Sequence, residues 1–277
     1  MSAPVWLVTG AGSGVGRTLA VALASSGCRV LITSRDRGHL EDTARWCGAG
    51  TGVIPADLSD PSSVASLAAS VEVHLAGAPL AGIVHAAGVM VWSSPVASSG
   101  WSLVPAVNAI GPWTLTQLLE PALLRDTGSR VLFVAGAPVT LQGVRPRIEG
   151  WKGTQTGRGL ALALEAAAAK VWMARSLHRR WAGRASALAF HPGYIKSHLA
   201  DALPFPLSTL GCLAQPFLAT RCATGEFLAL APGALALSGT LVAGRRAVPS
   251  CPGPEDPGAE DAWLTELDRV EQDAHRV

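Results

Sequence analysis

Hydrophobic positions along the chain alternate between two spacings. Short apolar runs, VWLV at 5–8, CRVLIT at 28–33, VIPADL at 53–58, RVLFVAG at 130–136 and GTLVAG at 239–244, predict buried strands. After the first run, Leu19, Ala20, Leu23 and Ala24 fall at helical spacing. Strand and helix continue to alternate through short Gly- and Pro-rich connections, so the expected class is α/β: a doubly wound parallel sheet with helices on both faces. A chain of 277 residues buries one sizeable core, and residues 1–248 are read as a single domain. Residues 249–258 turn to Pro, Gly and acid, a linker by composition. Residues 259–277 then set Trp263, Leu264, Leu267 and Val270 on one stripe of an amphipathic helix, which docks either on its own domain or on a second subunit.

The junction after the first strand, TGAGSGVG at 9–16, carries candidate chemistry. Gly10 permits a tight turn, Gly14 a close backbone approach to a pyrophosphate, and Gly16 tight packing of helix on strand. The helix N-terminus at Ser13, Gly14 and Val15 offers amide donors and a positive dipole end to an anion. The second strand follows at βαβ spacing, which makes the sheet Rossmann-type, and ends in Ser34-Arg35-Asp36. A carboxylate at position 34 would suit the ribose of NAD(H). A small hydroxyl followed by Arg35 instead suits a 2′-phosphate, because a guanidinium forks onto phosphate oxygens. NADP(H) is therefore expected ahead of NAD(H).

Further motifs follow in order: Asp57-Leu58 after the third strand, His85-Ala86-Ala87-Gly88, Asn108 within VNAIGPWTLTQLLEPAL, Lys170 within KVWMARSLHRRWA, and Pro192-Gly193-Tyr194-Ile195-Lys196-Ser197. Over about residues 4–245 the set resembles the short-chain dehydrogenase/reductase family, with flanking patterns closest to its retinol-dehydrogenase-like reductases. The resemblance implies that Gly10, Ser13, Gly14, Val15, Gly16, Ser34, Arg35, Asp57, Leu58, Ala87, Gly88, Lys170, Pro192, Gly193, Ile195 and Ser197 contact the cofactor. In the family, NNAG stands at His85–Gly88 and PGxVxT at Pro192–Ser197, so Asn is replaced twice and Thr once. The resemblance also implies a substrate lid at about 198–222 and a homodimer or homotetramer.

The family's chemistry needs a phenol to give up a proton, a lysine to lower the phenol's pKa and hold the ribose, and a serine to orient the substrate oxygen. Lys170 supplies the lysine, but four residues earlier stands Ala166, and a methyl group donates no proton. Ala135 and Gly136 stand where the serines are expected, and Thr140 lies four residues beyond. Tyr194 is the only tyrosine in the chain, so no shift of register restores the motif. Catalytic candidates are therefore Lys170, Asn108 and Tyr194, the last being either a substitute acid or an aromatic packed on the cofactor; His191 is read as a structural imidazole or a second titrating group. Glu165, one step from the vacant position, either enters the site or remains solvated. The long segment between Gly136 and Lys170, with Arg145, Arg147, Glu149, Trp151, Lys152, Gln155 and Arg158, is either a site-facing insertion or a solvated loop.

Three functions fit these residues: an atypical NADP(H)-dependent reductase, a redox-neutral cyclase or isomerase, and a non-catalytic NADP(H)-binding partner. Residues 202–220 and 227–244 carry no charged side chain. Pro204, Pro206 and Pro216 interrupt the first stretch, and Pro232, Gly233 and Gly239 the second, so neither is expected to span a membrane. Leu203, Phe205, Leu207, Leu210, Leu213, Phe217 and Leu218 in the first argue for a lipophilic small-molecule substrate. A net charge of +2 gives no reason to expect nucleic acid. Five cysteines without CxxC spacing and no export signal point to a cytoplasmic protein, and seven scattered histidines give no expected metal site.

Overall fold

The structure, a computed structural model, describes residues 3–193, 195, 219–248 and 257–274. One sheet holds β1 (Val5–Thr9), β2 (Arg29–Thr33), β3 (Gly52–Val53), β4 (Leu80–His85), β5 (Ser129–Val134), β6 (Ala185–His191), β7 (Leu241–Ala243) and β8 (Arg246–Ala247). Their order is β3-β2-β1-β4-β5-β6-β7-β8, parallel except where β8 runs antiparallel to β7. The helices are α1 (Gly14–Ser25), α2 (Arg37–Cys47), α3 (Pro61–Leu75), α4 (Leu103–Pro105), α5 (Gly111–Leu123), α6 (Pro138–Leu141), α7 (Gly159–Trp181), α8 (Ala223–Leu230) and α9 (Pro257–Ala274).

Side chains of β1 alternate between two cores, as the pleat requires. Val5 and Leu7 join Val64, Leu119 and Leu177 of α3, α5 and α7, whereas Trp6 and Val8 join Leu19, Leu40 and Leu228 of α1, α2 and α8. Strands buried on both faces explain why the sequence reads as continuous apolar runs. The helix ends are set locally: Asp36 accepts from His39 N at 2.8 Å before α2, and Asp60 accepts from Ser62 N at 3.0 Å before α3. The sheet order reverses between β1 and β4, and a crevice at the carboxyl ends of such strands is where an open α/β sheet takes its ligand.

Helix α9 docks on its own domain. Leu264 and Leu267 are buried in the core shared with α5 and α7, and Trp263 sits edge-on to Trp151 and Trp172 at ring distances of 5.5 and 5.7 Å. Glu260 accepts from Arg175 at 2.6 Å and Arg179 at 2.9 Å, and Asp268 accepts from Trp113 Nε1 at 2.6 Å. The helix therefore closes the outer side of α5 and α7 with both apolar and charged contacts. No described helix is long and apolar enough to cross a membrane.

Candidate functional site

At the end of β1, Gly10 adopts φ +65°, and a Cβ there would stand 2.6 Å from both Ala87 N and Ala87 Cα. A Cβ on Gly16 would stand 2.3 Å from Gly10 O. Both positions therefore need glycine for close backbone packing, the first also for its left-handed conformation. Thr9 Oγ1 accepts from Ala87 N at 3.2 Å, which ties the turn after β1 to the turn after β4. The first helical bond of α1 runs from Arg17 N to Ser13 O, and the amides of Gly12, Ser13, Gly14, Val15 and Gly16 meet no acceptor among the described residues. Open amides at a helix start beside a glycine turn fit a dinucleotide pyrophosphate.

Several of the other expected cofactor residues among those described follow the carboxyl ends of sheet strands. Ser34 follows β2 with its Oγ 3.2 Å from Asp36 O, and Arg35 beside it is exposed. Asp57 accepts from Ser59 N at 2.8 Å and Ser59 Oγ at 2.7 Å, and Leu58 O packs against Gly111, where a Cβ would come within 2.2 Å. Gly193 has φ +85°, Pro192 O accepts from Cys222 Sγ at 3.7 Å, and Ile195 pairs with Ala219 in an isolated bridge. Tyr194 and Ser197 lie outside the described residues, as do most of the expected lid and residues 249–256.

Asn108 occupies a π-helical stretch, Ala106–Ile110, leading into α5. Its amide grips Val89 from both sides: Val89 N donates to Oδ1 at 2.8 Å, and Nδ2 donates to Val89 O at 2.9 Å. Lys170 is only 5% exposed, and its Nζ donates to Val134 O at 3.0 Å. Burial pushes the ammonium pKa down from 10.5 to about 8. Ala166, one turn earlier on α7, is fully buried, and Ala135 follows β5.

Glu165 is held elsewhere. Its carboxylate accepts from Trp151 Nε1 at 3.0 Å and Arg147 N at 3.3 Å, and lies 3.5 Å from the guanidinium nitrogens of Arg147 and Arg158. The 145–158 segment is thus anchored through a buried carboxylate. It also pairs with the loop after β4, through Ser94 with Gln155 and Trp101 with Lys152. A cavity of about 240 Å³ opens beside the starts of α3 and α5, lined in part by Leu58, Ser99, Trp101 and Ile110. It shares Leu58 with the expected nucleotide residues and has neither Lys170 nor Ala166 in its wall.

The family model for short chain dehydrogenase matches residues 4–143. Retinol dehydrogenase 12 of Bos taurus is 31% identical over 250 residues, covering 85% of this chain and 76% of that protein. This chain belongs to the short-chain dehydrogenase family. Dehydrogenase/reductase SDR family member 13 of Homo sapiens is 32% identical over 202 residues, 70% of this chain, and the match spans only 52% of that protein. Among solved structures, a blue fluorescent protein from a metagenomic library in complex with NADPH superposes with a TM-score of 0.65 at 20% identity, covering 88% of this chain and 98% of that one. The likeness of fold thus extends well beyond the 140 residues that the family model matches.

Contacts that sequence patterns did not reveal also shape this short-chain dehydrogenase. His85 is fully buried, stacks on Phe133 at a ring distance of 5.0 Å, and bonds Thr116 Oγ1 through Nε2 at 2.8 Å. Its Nδ1 has no partner among the described residues. Arg17 of α1 and Thr43 of α2 together hold the glycine loop. Their spacing of 26 residues carries no periodic signal, so only the packed fold brings them together.

Proposed function

We propose that the chain binds NADP(H) in preference to NAD(H) and reduces a lipophilic small molecule without a serine–tyrosine proton relay. The observation that carries this reading is Ala166, fully buried one helical turn before Lys170, where the family resemblance calls for a tyrosine. Arg35, exposed next to Ser34 at the end of β2, supports the 2′-phosphate, since no carboxylate stands at position 34 to repel it. The name of one relative, a retinol dehydrogenase, agrees with the substrate class.

When bound, the reduced nicotinamide supplies a hydride. Gly10, Gly14 and Gly16 admit the phosphates, and the start of α1 donates amides to them. Lys170 Nζ, fixed on Val134 O and poised at about 8, can hold or release a proton one turn from Ala166. Asn108 fixes the loop after β4, and the anchored 145–158 segment pairs with that loop. Without a strong acid, the substrate that suits this wall is an activated alkene or an imine, whose developing charge is already delocalised.

The test uses the purified full chain, NADPH absorbance, and matched sets of enones, imines and simple ketones. Substrate-dependent NADPH oxidation by the enones or imines, with the ketones inert, is the expected result. Tight NADPH binding without oxidation by any of them would leave a non-catalytic nucleotide-binding partner. Turnover by nucleotide-stripped protein would instead establish a redox-neutral cyclase or isomerase.

A further inference from the structure

We infer that Arg17 and Thr43 are positioning residues that set the phosphate loop for nucleotide binding; the inference rests on the nucleotide reading above. Arg17, half-buried on the first turn of α1, donates through Nε to Thr43 Oγ1 at 3.0 Å and through Nη2 to Gly12 O, with His39 O at 3.5 Å from the same nitrogen. Thr43, fully buried on α2, places its Oγ1 2.8 Å from Ala11 O and 3.0 Å from His39 O, and shares its one proton between them. Two consecutive carbonyls of the loop, Ala11 and Gly12, are therefore drawn toward α2.

A trans peptide points its N–H opposite to its C=O. With Ala11 O turned to Thr43, the Gly12 N–H points away from α2; with Gly12 O turned to Arg17, the Ser13 N–H does the same. These are two of the amides that meet no acceptor among the described residues. The pair thus fixes in advance the orientation that a pyrophosphate would otherwise have to induce, and a preorganised site binds more tightly. The same contacts seat α2 against the loop, where a Cβ on Gly12 would lie 3.0 Å from Ser34 Oγ and 3.1 Å from His39 Cβ.

Because the pyrophosphate is common to both nucleotides, loss of the pair weakens NADPH and NADH by the same factor. Loss of Arg35, in contrast, weakens NADPH alone. Calorimetric titration of Arg17→Met, Thr43→Val, Thr43→Ser and Arg35→Ala with each nucleotide separates the two effects, with thermal unfolding of the ligand-free chains measured alongside. The expected result is a rise of about tenfold in both dissociation constants for Arg17→Met and Thr43→Val. Thr43→Ser, which keeps the hydroxyl, restores both constants. Arg17→Met and Thr43→Val binding both nucleotides as tightly as the unaltered chain would overturn the inference, as would Thr43→Ser binding as weakly as Thr43→Val. If either Met or Val variant unfolds before titration, the Thr43→Ser against Arg17→Lys comparison decides: the hydroxyl and the guanidinium nitrogen contacts predict full affinity for the first and reduced affinity for the second, and equal affinities refute them. Failure of the unaltered chain to bind either nucleotide would overturn the underlying nucleotide reading, an outcome visible without any variant.

Discussion

His85→Phe should remove much of the acid sensitivity of the fold. Thr116 donates its own proton to Pro112 O at 2.8 Å, so His85 Nε2 must carry the proton in the bond between them, leaving Nδ1 bare and unpartnered among the described residues. Burial first, and the charge of Lys170 second, push the imidazole pKa down from 6.5 to about 3. Between these values the unfolded chain binds a proton that the folded chain refuses, so stability from this group is full above the unfolded pKa and is lost as pH falls from it toward about 3. At about pH 4.5, two units into that window, the loss is roughly 3 kcal/mol at about 1.4 kcal/mol per unit. Phenylalanine keeps the stack on Phe133 and cannot titrate. Urea unfolding followed by tryptophan fluorescence at about pH 7.5 and about pH 4.5 gives the free energy by linear extrapolation. The unaltered chain should lose roughly 3 kcal/mol more than the variant between the two conditions. Parallel losses in both chains would show that His85 is not held neutral by its surroundings.

Gly10→Ala places a methyl group 2.6 Å from the backbone of Ala87 at φ +65°, so the loop must shift; nucleotide affinity measured by calorimetry should fall at least about tenfold, and unchanged affinity would show that the loop adapts freely. Glu165→Leu strands Trp151 Nε1 and removes the partner of Arg147 and Arg158, and should cost about 3 kcal/mol of stability in urea unfolding, whereas Glu165→Gln, which keeps an acceptor, should cost less than half of that. Equal losses for the two variants would mean that packing rather than hydrogen bonding holds the 145–158 segment.

Much of the architecture was legible because it repeats local rules. Strands buried on both faces read as apolar runs, and the glycines after β1 are demanded by contacts within a few residues of the turn or directly across it. Gly16 could be assigned from sequence because its close contact, Gly10 O, lies six residues away in the same turn, and Gly10 because its φ of +65° is itself a local demand; its contact with the Ala87 backbone came only with the fold. Glu165 shows the opposite case. Beside the vacant position 166 it could face either way, and its direction follows from Trp151 and Arg158 on a segment whose path no periodicity specifies.

The amphipathic stripe of α9 likewise fixed that the helix must dock, without fixing where. Acidic partners for Arg175 and Arg179, and an aromatic slot between Trp151 and Trp172, decide that it lies on its own α7. Sequence by itself determined the alternation of strand and helix, the phosphate turn and, through its ordered motifs, the family; it also set an alanine four residues before Lys170. Tertiary structure alone decided the burial of His85 with its Nδ1 unpartnered among the described residues, the lowered pKa of Lys170, and the grip of Arg17 and Thr43 on the glycine loop. The physical reason is range: propensity and turn chemistry act between neighbours along the chain, whereas burial and hydrogen bonding to a remote backbone exist only once distant segments have packed.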